Sequence, residues 1–130
     1  MHKTLQPADW PRPKGYANGI AVSGTQTIYT GGLVGWDAQG KFPGRDFVRQ
    51  VRATLENIVA VLREADAGPE HLVRMTWYIT DKQAYNDNLA GIGAAYREVI
   101  GRHFPAMAVV QVVALMEDDA MVEIEAIAVK

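Results

Sequence analysis

The feature that most constrains the fold is a nearly unbroken apolar segment near the end of the chain. It runs from Ala106 to Met116, and only Gln111 interrupts it. The segment is too short to span a bilayer as a helix. We interpret Met107–Leu115 as a β-strand, and a strand that is apolar at almost every position favours burial on both faces. The sheet that contains it therefore needs a packing partner on each side.

Two helix patterns supply that partner for one side only. After Asp46, a favourable N-cap residue, apolar residues recur at spacings of three and four as far as Gly68-Pro69, which predicts a helix over about 46–66. A second helix is predicted between Asp81 and Gly101. Its apolar stripe consists of Tyr85, Leu89, Ile92, Tyr96 and Val99.

The remaining strands complete a fold prediction. Leu72–Thr80 alternates apolar and polar residues, and Met121–Val129 follows Met107–Leu115 after an acidic turn, which indicates a closing hairpin. Gly19–Val22 and Thr27–Thr30 flank a Ser-Gly turn, which indicates an opening hairpin. The order β-β-α-β-α-β-β predicts an α+β fold in which two helices pack against a mixed sheet.

The second face of this sheet has no cover within the predicted elements. A second copy of the chain is the simplest cover, so we expect a homo-oligomer with the open sheet faces at its centre. The alternative is that the uncovered apolar surface forms a ligand pocket.

Composition excludes several kinds of chemistry. The chain has no cysteine, which rules out disulfides, thiolate metal sites and cysteine nucleophiles. Ser23 is the one serine, and its place in a turn beside Gly24 argues against a Ser-His-Asp hydrolase. The three histidines lack metal-ligand spacing, so we expect no metal.

Length and charge indicate the class of protein. The 130 residues match one domain, and we expect 1–130 to form it. A net charge of −2 gives no support for nucleic acid or an anionic membrane as a partner. Met1–Trp10 lacks the apolar stretch of a signal peptide, so we expect a cytoplasmic protein.

Three residues, a pair of glutamates and one arginine, are candidates for chemistry on pattern alone. Glu123 and Glu125 lie two apart on the last strand and so share a face, where a glutamate at a subunit interface could hold water as a general base. The alternative is a solvent-facing edge strand that carries protective charges. Arg102 lies in a loop before a buried strand, a common place for functional side chains, but it could equally complement the end of the preceding helix.

Several segments, in order, resemble the reactive intermediate deaminase family, also called RidA or YjgF. The resemblance covers nearly the whole chain, and its most specific parts are Phe104-Pro105-Ala106 and the closing Val-Glu-Ile-Glu-Ala-Ile-Ala at 122–128. The other matching segments are Gly15-Tyr16-Ala17-Asn18-Gly19, Thr27-Ile28-Tyr29-Thr30-Gly31-Gly32, Gln50 through Leu55-Glu56-Asn57-Ile58, and Val73-Arg74-Met75-Thr76.

The resemblance implies a fold, an assembly and an activity. The fold would be chorismate-mutase-like, and three copies would form a homotrimer with a central barrel and three inter-subunit clefts that take a small-molecule metabolite. Active members of the family hydrolyse reactive enamines and imines, such as 2-aminoacrylate, to a keto acid and ammonia. They use no metal and no organic cofactor.

The resemblance also implies site residues. Tyr16 would line the cleft, and the Gly32 amide would hold a carbonyl or carboxylate oxygen. Glu125 would hold the attacking water. Gly31 stands where the family has serine.

Two further positions depart from the family pattern. Met107 stands where an arginine grips the substrate carboxylate, and Val109 stands where cysteine or threonine is common. Methionine cannot pair with a carboxylate, and losing a hydrogen bond to a charged group costs about 1.5–3 kcal/mol. We therefore expect weak deamination of standard 2-imino acids, unless Arg102 or another arginine reaches the cleft, and a more apolar ligand.

Three functions remain open from the sequence. The first is hydrolysis of a non-standard enamine or imine. The second is non-catalytic small-molecule binding or regulation on the same scaffold, which the missing arginine favours and the retained Glu125 opposes. Ribonuclease activity, a name sometimes attached to the family, has the least support because the chain is not basic.

Overall fold

The computed structural model describes residues 2–130, which form seven strands, three α-helices and one 3₁₀ turn. The strands are β1 (His2–Leu5), β2 (Gly19–Val22), β3 (Thr27–Tyr29), β4 (Leu33–Val34), β5 (Leu72–Ile79), β6 (Ala106–Gln111) and β7 (Val122–Val129). The helices are α1 (Phe47–Arg63), α2 (Lys82–Asp87) and α3 (Leu89–Val99), and Pro69–His71 form a 3₁₀ turn before β5.

The main sheet is mixed, which confirms the predicted α+β class. Its strand order is β3-β7-β5-β6, and β4 also pairs with β7. The β5–β6 pair is parallel, and the other pairs in this sheet are antiparallel. The hydrophobic core joins α1 and α3 to one face of β5 and β7. The helices therefore cover one face of the sheet, as expected.

Helix α1 forms where its cap and apolar stripe predict it. The Asp46 carboxylate accepts a hydrogen bond from the Arg49 amide at 2.9 Å, which satisfies one of the free donors of the first turn. Leu55, Ile58 and Leu62 on its stripe are fully buried. Burial of each such side chain contributes about 1.5–3 kcal/mol, so packing rather than propensity holds this helix.

The second predicted helix is interrupted. Asn88 leaves the helical conformation, with φ −122° and ψ 24°, and its side-chain amide donates to the Ala84 carbonyl at 2.7 Å. This local side-chain hydrogen bond interrupts the helix at Asn88, and α3 begins at the next residue. As a result Leu89, which the stripe places in the core, is 56% exposed.

Both predicted hairpins are wrong. At the end of the chain, β5 lies between β6 and β7, so these two strands do not pair. At the start, β2 pairs with β1 in a separate two-stranded sheet. The amides of Thr25 and Gln26 both donate to the Lys130 carbonyl at 3.0 Å, so the chain after the Ser-Gly turn is already bonded to the end of the chain beyond β7.

Strand β6 is shorter than predicted. It ends at Gln111, whose side-chain oxygen accepts a hydrogen bond from the Lys82 amide at 2.7 Å. Beyond it the apolar segment leaves the sheet, and Val113 and Met116 are almost completely exposed.

The face of the sheet opposite the helices has no covering layer within residues 2–130. We call it the open face; its side chains include Arg74, Thr76, Tyr78, Ala106, Ala108, Val110, Glu123 and Glu125. An uncovered face agrees with the expected self-association, and the homotrimer stays a prediction. None of the helices in the described chain is long and apolar enough to cross a membrane.

Candidate functional site

A cavity of about 690 Å³ lies between the helices α2 and α3 and the β5–β6 edge of the sheet. Its volume is within the range of small-molecule binding pockets. We call it the α3 cavity. Its walls include Tyr16, Trp77, Tyr96, Phe104, Met107 and Val109.

Strand alternation and one backbone bridge bring these walls together. Met107 and Val109 pair with Met75 and Trp77 on β5, so both side chains share the helix-facing side of the sheet. The Ala17 amide donates to the Pro105 carbonyl at 3.0 Å, which holds the neighbouring Tyr16 at the cavity.

Glycine lets the chain make this approach. Gly15, one residue before Tyr16, has φ +82°, a conformation that side chains disfavour. A larger residue at this position would strain the turn that brings Tyr16 to the α3 cavity.

One wall of the cavity is a fixed aromatic pair. The rings of Tyr96 and Phe104 stack with their centroids 5.7 Å apart and their planes at 11°. The Tyr96 hydroxyl donates to the His103 carbonyl at 2.5 Å. Burial raises the pKa of Tyr96 well above its ordinary value, so the phenol stays neutral and keeps this donor at physiological pH.

A second group of candidate residues lies at the open face. Register places Thr30, Gly31 and Gly32 opposite only two residues of β7, which makes a β-bulge between β3 and β4. The Glu123 carboxylate lies against Gly32, so close that a side-chain carbon on Gly32 would overlap its Oε2 atom.

Glu125 is held by a different partner. The Tyr78 hydroxyl donates to Glu125 Oε1 at 2.6 Å. This hydrogen bond is the largest of several causes that raise the pKa of Tyr78 above its ordinary value, so Tyr78 remains a donor at neutral pH. Glu123 and Glu125 project from the same face of β7, and Tyr78 on β5 joins them there.

The structure divides the sequence-predicted residues into two groups. Tyr16, Met107 and Val109 meet in the α3 cavity. Gly31, Gly32 and Glu125 belong to the open face and its bulge, on the other side of the sheet. Arg102 is exposed in the loop before β6 and does not line the cavity.

Sequence reasoning missed two cations and one contact. Arg97 and Lys14 line the α3 cavity. The sequence signal that could have identified Arg97 is its position directly after Tyr96, a residue of the predicted apolar stripe of the second helix. The contact of Glu123 with Gly32 could not be found from the sequence, because it depends on the register of the bulge. Residues 2–130 contain no group of three or more metal-ligand side chains arranged to hold a metal ion.

Comparison with known proteins identifies the family. The family described as Endoribonuclease L-PSP matches residues 11–130. A 2-iminobutanoate/2-iminopropanoate deaminase of Salmonella typhimurium is 31% identical, with 100% of this chain and 99% of that protein covered. This chain belongs to the RidA/YjgF family.

Other RidA/YjgF members agree over the same length. The RutC family protein UK114 of Drosophila melanogaster is 33% identical, with 98% of this chain and 89% of that protein covered. The crystal structure of YyfB, a Rid family protein of unknown function from Yersinia pestis, matches with a TM-score of 0.88 at 28% identity. Here 99% of this chain and 98% of that chain are covered. The family fold expected from the resemblance is therefore confirmed.

Proposed function

We propose that this chain binds a small metabolite in clefts between the protomers of a homotrimer and hydrolyses an enamine or imine there. The products would be a carbonyl compound and ammonia. The observation that carries the proposal is the meeting of Tyr16 with Met107 and Val109 in one cavity. Tyr16 is distant in sequence from the other two, which lie on β6, and the family resemblance implies that all three belong to one site.

A second copy of the chain completes this site. Within one protomer the α3 cavity and the carboxylates Glu123 and Glu125 lie on opposite faces of the sheet. Self-association through the open face would bring the carboxylates of one protomer toward the cavity of the next. The uncovered face, which exposes Val110 on the edge strand β6, supports this arrangement.

The reaction requires one water molecule and a group that moves protons. Water adds to the carbon of the C=N bond, and a carboxylate takes one of its protons. The nitrogen receives that proton, which gives a neutral carbinolamine. A second proton then moves from the carbinolamine hydroxyl to the nitrogen through the same carboxylate, the C–N bond breaks, and ammonia leaves behind a carbonyl group. Glu125 is our candidate for this step, with Tyr78 fixing one of its oxygens and leaving the other for water.

Ammonia release from enzymatically generated 2-aminoacrylate tests the proposal. We expect slow turnover by the wild-type protein and none by Glu125→Gln. We expect an increase of about tenfold in Met107→Arg, because the new arginine gives this small substrate a carboxylate partner on β6. Glu123→Gln is the matched comparison from the same face. If neither wild type nor Met107→Arg releases ammonia from this or bulkier imines, the proposed activity is wrong.

Non-catalytic binding is the second candidate function. The observation that favours it is the separation of the cavity from both carboxylates within a protomer, which would leave a bound metabolite without a base. A ligand that binds Glu125→Gln as tightly as wild type and is recovered unchanged would establish this function instead.

A further inference from the structure

Within one protomer, the α3 cavity carries positive charge without a matching negative one. Arg97 and Lys14 line it, and none of its lining side chains within the described chain is acidic. This local excess of positive charge contrasts with the net charge of −2 for the whole chain. A cavity with this balance favours an anionic ligand.

The guanidinium of Arg97 is directed along α3 over a glycine. Its Nη1 atom lies 3.3 Å from the position that a Cβ on Gly93 would occupy, and Gly93 also lines the cavity. Side chains on a helix point toward its N-terminus, so a residue four positions on covers the glycine. The missing side chain at Gly93 leaves room for this guanidinium beside the cavity.

The Arg97 guanidinium also lacks a partner among the described residues of one protomer. Within residues 2–130 its side chain has no ion pair and no hydrogen bond, whereas the adjacent Glu98 pairs with Arg52 at 2.5 Å. An unpaired guanidinium can form the two parallel hydrogen bonds that a carboxylate accepts.

Apart from the hydroxyls of Tyr16, Tyr85 and Tyr96, the rest of the cavity is mainly apolar. Trp77, Phe104, Met107 and Val109 form its walls, and the cavity volume is far larger than a three-carbon acid requires. Such walls favour a ligand whose carboxylate is attached to a bulky apolar body.

We propose that Arg97 is the carboxylate-binding residue of this chain, and that the ligand is a carboxylic acid with an aromatic or branched aliphatic side chain. For catalysis, the substrate would be the imine or enamine of such an acid. This inference rests on the proposed function only in taking the α3 cavity as the metabolite site. Arg97 would thus supply, from a helix, the cation that Met107 cannot supply from the strand.

Isothermal titration calorimetry with stable probes tests the inference independently of turnover. The probes are 3-phenylpropanoate, its uncharged amide, and propanoate. We expect wild type to bind 3-phenylpropanoate about tenfold more tightly than either other probe. Arg97→Gln should lose that preference over the amide, and Arg97→Lys should keep part of it.

Two further arginine variants, Arg49→Gln and Arg102→Gln, show whether carboxylate binding depends on Arg97 or on another arginine. Arg49→Gln makes the same charge change on an exposed helical residue outside the cavity and should bind like wild type. If Arg102→Gln loses the preference and Arg97→Gln keeps it, or if wild type does not distinguish the carboxylate from the amide, the inference is wrong. Carboxylate binding that depends on Arg97, without ammonia release from any imine, would support the inference and refute the proposed hydrolysis. Ammonia release that is unaffected in Arg97→Gln would support the proposed hydrolysis and refute the inference.

Discussion

Replacing Gly32 by alanine tests the contact between the bulge and the Glu123 carboxylate. The new Cβ would lie 2.9 Å from Glu123 Cδ, closer than real Cβ contacts, so the carboxylate must move. The group that moves is the end of a flexible side chain, and holding such a side chain about 30° away from a preferred rotamer costs about 0.5–1.5 kcal/mol. Alanine also restricts the unfolded chain, which stabilises by about 0.4–1 kcal/mol. The free energy of unfolding should therefore stay within about 1 kcal/mol of wild type.

Two other glycines provide matched controls. A Cβ on Gly31 meets nothing within 4 Å, so Gly31→Ala should be neutral or slightly stabilising. A Cβ on Gly35 would lie 2.5 Å from the Gln50 carbonyl oxygen and 3.1 Å from its Cα, both in the backbone of α1. Backbone atoms cannot move aside as the end of a side chain can. Gly35→Ala should therefore lower the free energy of unfolding by about 1–3 kcal/mol through overpacking.

Urea denaturation followed by tryptophan fluorescence gives the three stabilities, and ammonia release gives activity. We expect Gly32→Ala to fold like wild type but to turn over about ten to a hundred times more slowly, because the displaced Glu123 carboxylate disturbs this face of the site. If Gly32→Ala is destabilised as much as Gly35→Ala, the carboxylate is not free to move and the reasoning fails. If it folds and turns over normally, the contact does not shape the site.

Three other predictions concern the Tyr78–Glu125 hydrogen bond, the Tyr96 phenol and nucleic-acid binding. Tyr78→Phe removes the donor that holds Glu125 at 2.6 Å, and should lower turnover about three- to tenfold without lowering the thermal midpoint. Unchanged turnover would contradict the role assigned to this bond. The raised pKa of Tyr96 means that the folded protein keeps a proton that the unfolded chain loses, so stability should be constant up to the ordinary tyrosine value of 10.0 and fall above it, by at most about 1.4 kcal/mol per pH unit for this group. Urea denaturation at several alkaline pH values measures this, and the fall should be shallower in Tyr96→Phe; an equal fall in both would show that Tyr96 is not responsible. Fluorescence anisotropy with a labelled RNA should show no salt-dependent binding, and binding that weakens steeply with salt would contradict the expectation that nucleic acid is not a partner.

The elements that local sequence determines were predictable. Helix α1 has an N-cap at Asp46 and a stripe of apolar residues along one side, and both features can be recognised directly in the sequence. The break at Asn88 was not predictable, because asparagine is tolerated within helices and only the conformation shows its bond to the Ala84 carbonyl.

Strand pairing depends on contacts that are distant in the chain. Sequence proximity favoured pairing of β6 with β7, but β5 lies between them and pairs with both. A parallel β5–β6 pair needs the crossover that α2 and α3 provide, and no local signal distinguishes it from a hairpin. The same register places Met107 opposite Met75 on the helix-facing side. The resemblance could name Met107 and Glu125 as site residues but did not show that a protomer carries them on opposite faces.

Complementation between two inactive variants tests the central claim, that each site combines the cavity of one protomer with the carboxylates of another. Met107→Glu places a repelling charge in the cavity wall, and Glu125→Gln removes the proposed base; each homotrimer should be inactive while folding normally. When the two are unfolded and refolded together in equal amounts, random assembly into trimers should restore about a quarter of the wild-type rate of ammonia release, because one cleft in four pairs an intact cavity with an intact carboxylate. If the wild-type protein is active but the mixed oligomers are not, the sites do not combine the cavity of one protomer with the carboxylates of another.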